Sequence, residues 1–200
     1  MNFWLSPDRR RPSGDAGGQE LDAGLLDRIK ENDVAAFDAL LKQRWRPLML
    51  YCRRILGGRD NAEDVAQEAF IRLWEHRGRW KAGSSSRAIL YTIARNLALN
   101  ERSSNVSRAK RLHDASLEGH LKLPTPQEQL EADEFRNALD RAVSSLAARQ
   151  QEVLTLARVN GLSREEIAKV TGLSPQTVAN YLVKALTTLR RLLGPFLEDR

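Results

Sequence analysis

The carboxylates with the most regular spacing are Asp60, Asp64 and Glu68, which recur every four residues. Four residues is about one turn of an α-helix, so these groups would share a helical face, with Glu63 and Gln67 beside them. Two carboxylates can act as general acid and base in hydrolysis, but the chain has no second acidic cluster or poised histidine to complete such a site. The face can instead bind a basic partner helix, or it can simply be solvated.

A second group of polar residues has the spacing that is typical of two helices joined by a tight turn. Ser163 and Glu166 have the spacing of a capping box, in which each side chain satisfies an amide at the helix start. Gly172 suits the turn, Ser174 can cap the next helix, and Pro175 suits its first position. The pattern predicts a helix-turn-helix whose second helix enters the major groove of DNA. The outward side chains of that helix are predicted to be Gln176, Thr177, Asn180, Tyr181 and Lys184.

The chemistry and charge around this helix favour nucleic acid as the partner. Asn and Gln can bind adenine through two hydrogen bonds, and Lys can reach guanine or a phosphate. Residues 77–110 carry 8 basic and 1 acidic side chains, residues 111–134 carry 2 and 6, and residues 135–200 carry 10 and 6. Two basic segments around an acidic one predict two contacts with a polyanion. The alternative is an ordinary helical hairpin with a solvated polar face.

The elements that must position these residues are helices. From Leu25 onward the apolar residues recur at intervals of three and four, and strand-like alternation is essentially absent. Pro47 falls inside the second apolar stripe, where it should kink or break the helix. The predicted fold is all-α, with two small helical domains joined by a flexible acidic linker. The predicted boundaries are a disordered tail at 1–20, a first domain at 21–102, a linker at 103–130 and a second domain at 131–195.

Composition excludes several classes of protein. No run approaches the roughly eighteen apolar residues of a membrane-spanning helix, and the first residues lack the apolar stretch of a signal peptide. Cys52 is the one cysteine, so the chain has no intrachain disulfide and no cysteine-built metal site. None of the three histidines follows an Asp or Glu by three residues, as a metal site in a helical bundle would need. We therefore expect a soluble cytoplasmic protein without a metal or cofactor.

The segments Asp60–Phe70, Leu73–Trp74 and Ile93–Asn100, followed by the helix-turn-helix, resemble the extracytoplasmic-function (group IV) sigma factors of the sigma-70 family of bacterial RNA polymerase. The resemblance implies a promoter-specificity factor and not an enzyme. Its first domain, region 2, would dock on the β′ clamp helices and open the −10 element. Its second domain, region 4, would read the −35 element and touch the β flap. The resemblance also implies an anti-sigma partner, which in this family often lies at the inner membrane.

The same resemblance assigns roles to the acidic helical face. It places polymerase contact on Asp64, Gln67 and Glu68, within a docking face that also includes Asp60 and Glu63. The face would present carboxylates and an amide to a basic helix of the polymerase.

The loop and helix after this face are implied to act on the −10 element. In the family the loop captures a base flipped out of the non-template strand, and the helix reads the upstream end of the element. Trp80 would stack on the unpaired base, or would instead close the loop as a core aromatic. Asn96 would read a base. Cationic side chains that would hold the backbone are Arg79, Lys81, Arg87 and Arg95.

Two departures from the family pattern limit the resemblance, and two other functions stay open. Ile89 stands where the family often has Trp, and Ala179 where many relatives have a basic residue, so neither promoter sequence carries over. A free-standing helix-turn-helix regulator of the two-component output type would explain residues 145–193 but not residues 60–74 and 93–100. A helical adaptor that binds only proteins is disfavoured by the groove-facing Asn180 and Lys184.

Overall fold

The computed structural model describes residues 24–58, 61–81, 83–109 and 137–194. Within these ranges the regular secondary structure consists of α-helices and one 3₁₀ turn. No strand occurs in them, which confirms the all-α prediction. The elements are α1 (24–30), α2 (Val34–Ile55), α3 (Ala62–Glu75), a 3₁₀ turn (Arg77–Arg79), α4 (Ser86–Ala109), α5 (137–144), α6 (Ala148–Arg158), α7 (Arg164–Thr171) and α8 (Pro175–Leu193). None of these helices is long and apolar enough to span a lipid bilayer.

The described helices fall into two compact units. The N-terminal unit contains α1 to α4, and the C-terminal unit contains α5, α6, α8 and α7 up to Ala168. Helix α4 continues to Ala109, so the boundary predicted at residue 102 falls inside a helix. The predicted tail at 1–20 and residues 110–130 of the predicted linker lie outside the described residues.

The core of the N-terminal unit lies where α2, α3 and α4 pack against one another. Phe70 and Leu73 of α3 and Tyr91 of α4 are at most 2% exposed. Burial of each such side chain contributes about 1.5–3 kcal/mol relative to exposure. Aromatic contacts extend this core: the rings of Phe37 and Trp74 have centroids 4.9 Å apart, and those of Tyr51 and Tyr91 5.2 Å.

Helix α2 runs without interruption through Pro47, so of the two predicted outcomes, a kink or a break, the break does not occur. An internal proline costs a helix about 3 kcal/mol because it lacks an amide hydrogen and crowds the preceding turn. Leu48, Tyr51 and Cys52 follow it directly and are at most 2% exposed. Since each large buried side chain contributes about 1.5–3 kcal/mol, packing of this last part of α2 offsets the cost.

The C-terminal unit packs around the long helix α8. Its apolar face buries Ala185, Leu186, Leu189 and Leu193. Leu154 of α6 and residues of the chain around α5 complete the same cluster, namely Ala138, Ala142 and Leu146. The opposite face of α8 is left to solvent along its length.

The burial of Cys52 has a measurable consequence. This thiol is fully buried, and its burial raises the pKa from its ordinary value of 9.0 to about 12. At pH 8 the folded chain therefore holds about a thousandfold less thiolate than the unfolded chain, since each pKa unit is a factor of ten. We expect iodoacetamide to label Cys52 rapidly in guanidinium chloride and very slowly in native buffer, as followed by mass spectrometry. Equal labelling rates in the two conditions would contradict this burial.

Candidate functional surfaces

The acidic face lies on α3, opposite the side that packs into the core. Three of its predicted residues, Glu63, Asp64 and Gln67, are exposed. Buried residues of the same helix recur between them, namely Ala62, Val65, Ala66, Ala69, Phe70 and Leu73. Because Glu63 and Asp64 lie in the first turn, they also interact favourably with the positive end of the helix dipole. Asp60 lies outside the described residues.

Glu68 differs from its neighbours on the acidic face because its charge is already paired. Arg72, one turn later, donates from Nε to Glu68 Oε1 at 2.6 Å, and both side chains are half exposed. Such a surface pair contributes only about 0.3–0.5 kcal/mol to a helix. A partner that binds Glu68 must therefore compete with Arg72.

Hydrogen bonds between distant residues hold the start of α3 in place, and they were not predicted from the sequence. Asn61 donates from Nδ2 to Glu101 Oε1 of α4 at 2.7 Å, and the neighbouring Arg102 donates to the carbonyl of Ile55 at 3.5 Å. These bonds fix both ends of the connection between α2 and α3 against α4. The partners are 40 and 47 residues apart, so no local signal in the sequence could have revealed them.

The basic loop comprises residues 77–81 and 83–85, between α3 and α4. It begins as the 3₁₀ turn and ends where Ser85 Oγ accepts from the Ala88 amide at 3.1 Å, capping α4. Arg79 and Lys81 are exposed on either side of Trp80. Trp80 is partly buried, and its Nε1 is enclosed without a hydrogen-bond partner among the described residues. The exposure of the indole is thus intermediate between that of a stacking surface and that of a core aromatic.

The three other residues that were predicted to act on the −10 element differ in their exposure. Asn96 is exposed on α4, whereas Arg87 and Arg95 are 3% and 8% exposed and interact within the protein. This burial was not predicted, because a contact with a nucleic-acid backbone requires guanidinium groups at the surface. Their contact with a nucleic-acid backbone stays a prediction, and in this structure both groups are enclosed.

The capping pattern of the helix-turn-helix is confirmed atom by atom. The Ser163 amide donates to Glu166 Oε2 at 2.7 Å, and the Glu166 amide donates to Ser163 Oγ at 3.1 Å. Gly172 has φ +71°, a left-handed conformation that makes the turn after α7 and favours glycine. Ser174 Oγ accepts from the Thr177 amide at 3.1 Å to cap α8, and Pro175 occupies the first helical position.

The groove helix is the N-terminal half of α8, residues 175–184. Gln176, Asn180 and Lys184 are exposed on it, and Gln176 Nε2 donates to Asn180 Oδ1 at 3.1 Å. Thr177 and Tyr181 are partly buried, so only three of the five predicted residues are fully on the surface. In shape and polarity this half of the helix suits contact with base edges in a major groove.

Val183 is a residue of the groove helix that the sequence analysis missed. It is apolar yet 63% exposed, and it lies three residues after Asn180 and seven after Gln176, on the same helical face. Helical spacing alone could have found it. In a major groove such a side chain can contact a thymine methyl group.

The groups on these surfaces suit the binding of a partner. Within the ranges that the structure describes, no group of three or more His, Cys, Asp and Glu side chains could hold a metal ion. The surfaces offer carboxylates, cations, amides and aromatic area, which are the groups that bind basic protein helices and nucleic acids.

Two family models match the chain, and they match in the order of its two units. Sigma-70 region 2 matches residues 38–108, and Sigma-70, region 4 matches residues 136–189. The first match contains the acidic face and the basic loop, and the second contains the helix-turn-helix.

Curated proteins are similar to the chain over most of its length. RNA polymerase sigma-H factor of Pseudomonas aeruginosa is 29% identical over 192 residues, 90% of this chain and 98% of that protein. ECF RNA polymerase sigma factor BldN of Streptomyces coelicolor is 30% identical, covering 92% and 70%. ECF RNA polymerase sigma factor SigL of Mycobacterium tuberculosis is 31% identical, covering 79% and 89%.

Solved structures share the fold. The sigma factor RpoE of Bartonella quintana, solved with the anti-sigma factor NepR, has a TM-score of 0.61 at 24% identity, covering 79% of this chain and 96% of that one. CnrH, solved with the cytosolic domain of CnrY, has a TM-score of 0.59 at 23% identity, covering 88% and 98%. At these identities the likeness concerns the fold.

Proposed function

The chain belongs to the ECF sigma factors of the sigma-70 family, and from this premise we propose how its surfaces divide the work of an alternative sigma factor. The acidic face docks on core RNA polymerase, the basic loop and α4 act on the −10 element, and the groove helix reads the −35 element. The observation that supports this most is that both regions occur in one chain, in order, each containing the surface that its task requires. The catalytic chemistry of transcription then belongs to the polymerase.

Docking rests on the charge and exposure of α3. Glu63, Asp64 and Gln67 are exposed on a rigid helix whose other side is core, so a partner meets them in a fixed geometry. Carboxylates on a rigid face favour a basic helix, such as the β′ clamp helices, because complementary charge raises both the association rate and the specificity. The hydrogen bond between Asn61 and Glu101 holds the start of α3 in place, so this helix loses less conformational entropy on binding.

Promoter opening rests on the basic loop. Extruding a base costs a few kcal/mol, and stacking of one base on an aromatic side chain is worth about 1–3 kcal/mol. Trp80 can supply such stacking once its partly buried indole meets an unpaired base, and Arg79 and Lys81 can bind the flanking phosphates. Asn96, exposed on α4, can bind a base edge.

We also propose that an anti-sigma protein regulates the chain. The relative RpoE was solved with the anti-sigma factor NepR, and CnrH with the cytosolic domain of CnrY. Such a partner would compete with the polymerase for the exposed surfaces of the two units.

The function is tested by reconstitution with core polymerase on genomic DNA. We expect the purified chain to co-elute with core enzyme in gel filtration and to direct transcription from specific start sites, mapped by RNA sequencing. Core enzyme alone is the control. The chain alone should bind the mapped promoters weakly; tight duplex binding without polymerase would favour the free-standing regulator instead.

The docking face is tested by Asp64→Ala and Gln67→Ala. Each variant should weaken binding to core polymerase by about 1–2 kcal/mol, roughly five- to thirtyfold in Kd, because each removes an exposed group from the centre of the face. Fluorescence anisotropy of labelled chain measures the affinity, and the melting temperature should be unchanged. Asp38→Ala, which removes a carboxylate from the surface of α2, is the matched control. Wild-type affinity in both α3 variants would place docking elsewhere.

The groove helix is tested by Lys184→Ala in the reconstituted holoenzyme. If Lys184 binds a base, its loss should weaken promoter binding by about 1–3 kcal/mol and relax the preference at one −35 position. Arg141→Ala, which removes an exposed cation from α5, is the control. An equal loss on every −35 sequence would show a phosphate contact in place of base reading.

A further inference from the structure

Helix α1 has no role in the surfaces described above, yet it is firmly part of the N-terminal unit. Leu26 and Ile29 on one side of it are completely buried. Polar groups of α1 and of the turn that follows reach the basic loop at two separate points. These two contacts join residues that are 45 and 56 positions apart in the chain.

The first contact is made by Asn32, in the turn between α1 and α2. Its φ is +64°, the one left-handed non-glycine value among the described residues, and Asn adopts this conformation more readily than most residues. In this position its Oδ1 accepts from both Nε and Nη2 of Arg77, the Nε bond being 2.7 Å long. The unusual backbone thus directs an amide oxygen at the first residue of the basic loop.

All three nitrogen atoms of the Arg77 guanidinium group donate hydrogen bonds within the protein. Besides the two bonds to Asn32, its Nη1 donates to the carbonyl of Trp74 at 2.7 Å. Its Cζ also lies 4.4 Å from the centroid of the Trp74 ring, a cation–π contact. Arg77 therefore differs from Arg79 and Lys81, which are exposed and open to a phosphate. Its contacts fix the turn from which Trp80 emerges.

The second contact holds the far end of the same loop. Both carboxylate oxygens of Asp27 accept from the Gly83 amide, at 3.4 Å each. Gly83 has φ +72°, which only glycine adopts easily, and its amide is thereby turned toward α1. The loop is thus attached to α1 and its turn on both sides of Trp80.

We infer that α1 and its turn form a bracket that holds the basic loop ready for an unpaired base, with Asp27, Asn32 and Arg77 as positioning residues. This inference rests on the proposed function of the loop. A loop that is already ordered loses less conformational freedom when it captures a base, so the bracket strengthens capture without touching DNA. The groups that touch the base and its phosphates remain Trp80, Arg79 and Lys81.

The bracket is tested with variants that spare the backbone. Asn32→Gly removes the amide acceptor but tolerates the left-handed φ, and Arg77→Lys keeps the charge but loses the two-point bond. The probe is a fluorescent single-stranded oligonucleotide carrying the non-template −10 segment of a promoter mapped by reconstitution. We expect both variants to weaken its binding to holoenzyme about three- to tenfold, with unchanged affinity for core polymerase. Lys42→Ala, on the surface of α2, is the matched control.

A double-mutant cycle with Trp80→Ala separates positioning from general stability. If Asn32 acts through the placement of Trp80, Asn32→Gly should change binding by less than about twofold in the Trp80→Ala background. Asp27→Ala, which removes both oxygens that accept from the Gly83 amide, repeats the test at the other end of the loop. Wild-type binding in all three bracket variants, or an undiminished loss in the Trp80→Ala background, would overturn the inference. If wild-type holoenzyme itself does not bind the oligonucleotide, the proposed function of the loop fails, independently of the bracket.

Discussion

The period of α3 is the constraint on which the N-terminal unit depends. One helix must bury a continuous apolar stripe between α2 and α4 and expose an acidic stripe on its other side. Ala66 and Ala69 are completely buried, and such small side chains let the neighbouring helices approach closely. An insertion of one residue would rotate the rest of the helix by about 100°, so neither the acidic stripe nor the apolar stripe would stay on its own face. The proposed docking face and the core therefore constrain each other's sequence.

Local signals predicted the helical elements and several of their caps, whereas contacts between distant residues could not be predicted. The capping box of Ser163 and Glu166 was predictable because both partners lie within one turn. The bonds from Asn61 to Glu101 and from Arg77 to Asn32 were not, since they depend on how helices pack. The break predicted at Pro47 as an alternative to a kink does not occur, because tertiary burial, which propensity does not contain, offsets the local cost of the proline.

The cations of the N-terminal unit illustrate the same limit for function. Residues 77–110 carry 8 basic side chains, and their count alone suggests a strong field for DNA. The structure divides them: Arg87 and Arg95 are enclosed, Arg77 is bound to Asn32 and Trp74, and Arg79 and Lys81 face solvent. Part of the charge thus organises the protein itself. The number of basic residues in a segment is an upper bound on the positive charges that a nucleic acid meets there.

The composition of the groove helix has a further consequence for the proposed binding of promoters. Its exposed face carries the amides of Gln176 and Asn180 with Val183 and Lys184, and the arginines of α8 come only in the last turn. Each phosphate contact adds a slope of about −0.9 to the dependence of log K on log salt, so a fourfold rise in salt costs only about three- to fourfold per contact. Avidity can add to the affinity of the proposed −35 contact. Once one unit of the chain is bound, covalent linkage gives the other a high effective concentration, worth a factor of about 10²–10⁴.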